Sequence, residues 1–158
     1  AALSMRWDKS HIFLTVKVAD DVFFQDKEGA DTWYGDGIQL AFHAVVPDIH
    51  NMDHVDLDVA LTKDGPKVYR QSGFGGLKPG PVSDVAVKIS RDGATTVYEL
   101  EIPVRSVGLP ELKPGMLFCF SMLVNDNDGK GRKGYLHWGD GIGNSKDPSQ
   151  YNWIMVEE

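Results

Sequence analysis

Cysteine is nearly missing from this sequence. Cys119 stands alone, so no intramolecular disulfide can form and the fold must hold by packing. The flanking Phe118 and Phe120 make that thiol a small buried hydrophobe. Long hydrophobic runs are missing too, and nothing approaches the roughly 18 residues of a membrane span. No signal-peptide pattern precedes the abrupt start at Ala1-Ala2-Leu3, so the sequence reads as a trimmed segment. Positive charge is in deficit: Lys and Arg total 16 against 23 Asp and Glu, a formal charge of -7. That balance argues against nucleic acid, whose phosphates demand basic patches, and suits a neutral or cationic partner or plain solubility. Catalytic signatures are scarce as well, with no G-x-S-x-G, no H-E-x-x-H and no glycine-rich phosphate loop.

Helical periodicity is also scarce, and alternation takes its place. Ile12, Leu14, Val16 and Val18 share one face against His11, Phe13, Thr15 and Lys17. Ile38, Leu40 and Phe42 repeat the pattern against Gln39, Ala41 and His43, and Val55, Leu57, Val59 and Leu61 do so against His54, Asp56 and Asp58. Alternation of this length predicts half-buried strands. Val85–Ile89 leads through Arg91-Asp92-Gly93 into a strand at Thr95–Ile102. Met116–Val124 is apolar on both sides and predicts a central strand covered on both faces. Gly134–Trp138 and Trp153–Val156 supply the last strands, while Pro103–Val107 and a stretch within Phe23–Asp31 suit single helical turns. Without repeats or a linker, 158 residues make one domain over 1–158, an all-β antiparallel β-sandwich of jelly-roll type.

If the 37–43 and 54–62 strands are neighbours, Gln39, His43, Asp56 and Asp58 share one surface with donors and acceptors for sugar hydroxyls. The plain alternative is a solvated sheet face. Trp33, in the loop feeding the first strand, offers an indole on which the apolar face of a pyranose ring can stack, although a lone tryptophan is more often core. Asp20, Asp21, Asp126 and Asp128 lie in loops and present oxygens of the kind calcium binds. Asp126-x-Asp128-x-x-Gly131 is not an EF-hand, since no glutamate closes it. Ordinary Asp/Gly turn chemistry is the alternative. Asp56/Asp58 and Glu99/Glu101 are carboxylate pairs about 7 Å apart along a strand, a pattern that usually marks a wet face rather than a glycosidase. His43, His50 and His54 lie close enough in sequence to suggest a transition-metal site, or simply loop histidines.

The ordered set Trp7-Asp8, Ile12–Asp20, Trp33-x-x-Asp36-x-Ile38-Gln39-Leu40-x-Phe42, Tyr98-Glu99-x-x-Ile102-Pro103, Val124-Asn125-Asp126 with Arg132, and Trp138 through Lys146-Asp147-Pro148 resembles the family 9 carbohydrate-binding modules over nearly the whole chain. The family usually carries an extra N-terminal strand segment that this sequence lacks. The resemblance implies a β-sandwich, calcium ions that stabilise loops, and a slot in which two tryptophans clamp a terminal sugar. Trp33 falls on the first tryptophan and Ser145 on the second. Gln39 stands for the family's glutamate, Asp58 for a sugar-contacting arginine, and Asp20 for an aspartate associated with calcium. Tyr151, Trp138 or Tyr34 are the candidates for a substitute platform.

The function expected is therefore a non-catalytic, calcium-stabilised carbohydrate-binding module, extracellular or periplasmic, attached to a secreted polysaccharide-acting enzyme. Its sugar contacts would be Trp33, Gln39, Asp58, His43 and Tyr151, and its metal ligands Asp20, Asp21, Asp126 and Asp128. Two other readings stand beside it. One is a haem b electron-transfer sandwich using Met52, Met122 or His54. The other is a ligand-free domain that packs against a catalytic neighbour.

Overall fold

The computed structural model describes residues 1–45 and 52–158. Two antiparallel sheets face each other. The smaller runs β1 (Ala2–Trp7), β2 (His11–Ala19), β8 (Thr95–Pro103) and β7 (Ala86–Asp92) in spatial order. The larger runs β10 (Arg132–Trp138), β9 (Leu117–Asn127), β3 (Gly37–Ala44), β4 (Val55–Thr62), β5 (Gly65–Ser72) and the two-residue β6 (Gly80–Pro81). A short β11 (Asn152–Met155) pairs with the first part of β9, end to end with β10. Single 3-10 turns occupy Gly29–Tyr34, Val104–Val107 and Pro148–Gln150.

The β-sandwich expected from alternation is the observed fold. Ile12, Leu14 and Val16 of β2 and Leu100 and Ile102 of β8 meet Ile38, Leu40, Phe42, Leu57 and Val59 of the opposite sheet in one core. β9 is covered on both faces as its composition requires. Phe118, Phe120, Met122 and Val124 enter that core, while Cys119 and Leu123 enter a second cluster with Ala41, Ile142 and Tyr151. Three strands escape the sequence pattern, among them the two-residue β6. β1 is an edge strand only half buried along one side, and β5 opens on Gly65-Pro66-Lys67, which breaks alternation. Among the described residues no helix is long and apolar enough to cross a membrane.

The second cluster decides where a site can form. The outer face of the larger sheet is not the wet surface its acids suggest: Gln39 is 4%, Asp56 0% and Asp58 1% exposed. A return loop, 139–151, closes over it. Gly139 and Gly141 allow that closure, with φ of 78° and 89°, since a Cβ at either position would collide with Ser121 or with the Asp147 carbonyl. Gly141→Ala should therefore lower stability by about 1–3 kcal/mol through strain alone. Urea titration monitored by amide exchange in residues 139–151 checks this, with the loop expected to open before the sheets.

Candidate functional site

Trp33 ends a loop that is stapled on three sides. Gln25 donates from Nε2 to the carbonyls of Thr32 (2.9 Å) and Asp36 (2.8 Å). Asn127 donates from Nδ2 to the Tyr34 carbonyl at 2.7 Å. The Asp36 carboxylate accepts from the Asn127 amide at 2.9 Å and from the Phe24 amide. These bonds hold the backbone on both sides of Trp33 against β9, so the half-buried indole is placed by polar groups rather than by core packing. Tyr34 stacks on it with ring centres 3.7 Å apart.

The indole borders a cavity of about 230 Å³ whose other polar walls are Gln39, Gln71, Arg132 and Lys146, with Ile142 contributing apolar surface. Beneath it lies Asp58. Gln39 is the direct cross-strand partner of Asp58 and donates to Oδ1 at 2.9 Å, while Gln71 from β5 donates to Oδ2 at 2.6 Å. Gln71 also reaches the Ala30 carbonyl at 2.7 Å, which ties β5 to the Trp33 turn. Burial pushes the Asp58 carboxyl up to about 6, and neighbouring Asp56 adds to the rise, while the two glutamine amides and Lys146 oppose it. The fully buried Asp56 pairs with the Lys146 ammonium. Among the described residues Lys146 is the one non-glycine with positive φ, at 49°, so the backbone is strained where its side chain lines the cavity.

Arg132 completes the wall. Its guanidinium carbon lies 5.3 Å from the Trp33 ring centre and 4.6 Å from that of Tyr135. Nε and Nη2 are buried and have no hydrogen-bond partner. The register between β10 and β9 shifts between Arg132 and Gly134, a bulge that re-aims the arginine.

The expected sugar contacts divide. Trp33 and Gln39 line the cavity, and Asp58 orients its floor. His43 shares the face of Gln39 but lies four residues further along β3, about 13 Å at strand rise, and its ring bonds the Asp53 carbonyl. Tyr151 is 3% exposed inside the second cluster and offers no open ring face. Trp138 is 41% exposed but borders a different groove, with Trp7, Met5 and Met155. Gln71 was not anticipated, because its strand is not visible in the pattern. Arg132 and Lys146 were noticed only as parts of longer motifs.

The acidic residues form a second site at the same C-terminal end of β9, where Asp126 pairs with Gly134 next to the Arg132–Asn127 pair. Carboxylate oxygens of Asp20, Asp126 and Asp128 lie within 4.8 Å of one another. Asp21 borders the same cavity but stands outside the cluster and is exposed. Lys133 offers its ammonium to Asp128 at 2.8 Å and to Asp126 at 3.5 Å. Asp128 Oδ1 is nevertheless buried without a partner. An all-oxygen donor set with an orphaned carboxylate oxygen fits a hard cation such as calcium. Nearby Asp36 is pushed up to about 6, mainly by burial, with the charges of Asp20 and Asp126 adding to it.

The remaining candidates are placed as follows. His43 and His54 each turn Nδ1 to a backbone carbonyl, and His50 lies outside the described residues. Met122 is 4% exposed in the main core and Met52 48% exposed at the surface, so the two do not converge as axial ligands. Glu99 and Glu101 are half exposed on the smaller sheet and pair with Lys88 and His11, the wet face expected of them.

The family model described as carbohydrate family 9 binding domain-like matches residues 1–157. Two solved structures of a family 9 carbohydrate binding module from Caldicellulosiruptor kristjanssonii are similar to the chain. The one in complex with glucose is 15% identical with a TM-score of 0.74, over 98% of this chain and 75% of that one. The one in complex with cellotriose is 15% identical with a TM-score of 0.73, over 98% and 73%. No curated protein matches the chain.

Asp58 gives a pH test. Its folded pKa of about 6 lies above the ordinary carboxylate value of about 3.9. Between those values the native state holds more protons than the unfolded state, so this group lowers stability as pH rises and its penalty is complete above the upper value. Asp58→Asn should gain stability relative to the parent on going from about pH 4 to about pH 7. Urea midpoints of both proteins at the two pH values measure the difference, and a difference independent of pH would contradict the assignment.

Proposed function

We propose, because this chain belongs to the carbohydrate family 9 binding domain-like family, that it is a non-catalytic module that takes a sugar ring into the Trp33 cavity. The observation that carries this is a half-buried indole beside a polar wall whose donors and acceptors are already oriented. A pyranose would lay its C–H face against the part of the indole left open by Tyr34 and Arg132 and direct its hydroxyls at the glutamine amides, Arg132 and Lys146. The glucose and cellotriose complexes of the Caldicellulosiruptor kristjanssonii module support a pyranose as the unit recognised. Position 145, where the family carries its second clamping tryptophan, is an exposed serine here, so the clamp is one-sided and single-site affinity is weak. Asp56 and Asp58 are buried and engaged by Lys146 and the glutamines. That engagement supports binding without catalysis. The same reading makes the chain an accessory domain of a secreted polysaccharide-acting protein, working outside the cytoplasm.

Calcium belongs to this proposal. Asp20, Asp126 and Asp128 would hold it, with Asp21 at the rim, and the ion would relieve the mutual repulsion of three carboxylates and tie the loop after β2 to the end of β9. A packing role against a neighbouring domain is favoured by one feature, the short strip of Trp153 (63% exposed) and Met155 (58%) along one face of β11. That strip does not involve Trp33, so packing and sugar binding are compatible.

Trp33→Ala should weaken binding of the best ligand on a glycan array at least about tenfold while circular dichroism stays unchanged, since stacking is the largest apolar contact available. Silence of the parent protein across the array would leave only the packing role. EDTA should lower the melting temperature by about 5 °C or more and calcium restore it, as expected for an ion at well above its dissociation constant. Asp128→Asn should remove that response, and a parent melt unaffected by EDTA would eliminate the metal.

A further inference from the structure

We propose that the ring held in this cavity is a uronic acid, its carboxylate gripped by the Nε/Nη2 edge of Arg132 with Lys146 on the adjoining wall. This rests on the sugar-binding reading above and names the substrate class for the same site. A cavity suited to a neutral sugar balances its donors with carboxylate acceptors facing the hydroxyls. Here the carboxylates do not line the cavity. Asp58 is occupied on both oxygens by Gln39 and Gln71, and Asp56 is fully buried against Lys146. The charged groups that do line it are both cations.

Arg132 is the decisive one. Among the described residues it makes no ion pair within 4.0 Å, and two of its nitrogens are sealed from water with nothing to donate to. A buried guanidinium edge without an acceptor is costly, and the cost falls most when an anion arrives. The unpaired nitrogens are Nε and Nη2, whose parallel N–H bonds match the two oxygens of a planar carboxylate. Trp33 and Tyr135 lie against the guanidinium and the fork is covered, so a ligand carboxylate engages it once the arginine side chain turns that edge into the cavity. Burial pulls the Arg132 pKa below its ordinary value, and the charges of Tyr135, Asp58 and Tyr34 oppose that pull. Meanwhile Asp58, as an acceptor only, draws the N–H₂ ends of both glutamines and leaves their carbonyl oxygens to take hydroxyl protons from the ring.

Isothermal titration of the protein with D-glucuronate, D-galacturonate, the neutral methyl ester of glucuronate, D-glucose and glucose 6-sulfate tests this. At least one uronate should bind about tenfold or more tighter than the ester and glucose, the difference shrinking as salt rises. Arg132→Lys, which keeps the charge without the fork, should lose most of that preference. Arg132→Met should abolish it, so that uronate, ester and glucose bind alike, with the fold checked by melting temperature. Equal affinity for uronate, ester and glucose overturns the uronate assignment and leaves the sugar-binding function intact. Tighter binding of the sulfate overturns the carboxylate assignment alone. Absence of binding by all five, with none on the wider array, overturns the sugar-binding reading itself.

Discussion

A carboxylate that is 1% exposed has to find its hydrogen-bond donors inside the protein, and the cavity takes its form from how Asp58 does so. Its two donors come from strands on either side of β4, Gln39 from β3 and Gln71 from β5, so three adjacent strands are linked on one face. Gln71 then passes the connection to the Ala30 carbonyl at the start of the Trp33 turn. Removing either amide would leave a buried anion half satisfied, and the indole would lose one of its anchors. The floor and the platform of the cavity are therefore one polar network rather than two features that happen to meet.

The same logic explains why the roof exists. Asp56, one pleat away on the same face, cannot be solvated either, and Lys146 brings its cation from the return loop. Holding that lysine over the sheet costs a positive φ at a non-glycine position and two crowded glycines at 139 and 141. Strain of this kind persists only when the surroundings over-determine it. The surroundings here are the second cluster, where Ile142 and Tyr151 pack on Ala41, Cys119 and Leu123. Apolar burial drives the loop down, and the ion pair fixes where it lands.

What was legible in the sequence and what was not follow from this arrangement. Strands β2, β3 and β4 announce themselves because each has one face set by the main core, and period two is a local signal; β8 follows from the turn before it and β9 from being apolar on both sides. Trp33 and Gln39 are legible because one immediately precedes and the other lies within such a strand. The burial of Asp56 and Asp58 is not legible. Whether a polar face is wet depends on a segment about 90 residues away, and no pattern within β4 encodes the loop that covers it. Arg132 is hidden for a different reason: a bulge decides its direction, and alternation alone would place it otherwise. Tyr151 was an attractive platform by residue type, yet an aromatic next to a glycine-rich loop is as easily the residue that pins the loop down.

If the cavity takes a sugar as proposed, only Trp33 is left of the aromatic clamp and discrimination would shift from shape to charge. Stacking on one ring is tolerant, since most pyranoses present an apolar face of similar size. Hydrogen bonds to a solvent-facing ring exchange with water and add little net free energy each. A guanidinium edge held without an acceptor would be different in kind, because turning it toward a planar anion would satisfy both nitrogens at once. On that proposal the larger burial on this face would serve selectivity through Arg132 more than affinity through area. The cavity would then trade the second ring of the clamp for an electrostatic contact whose strength depends on the low polarity of the pocket built around it.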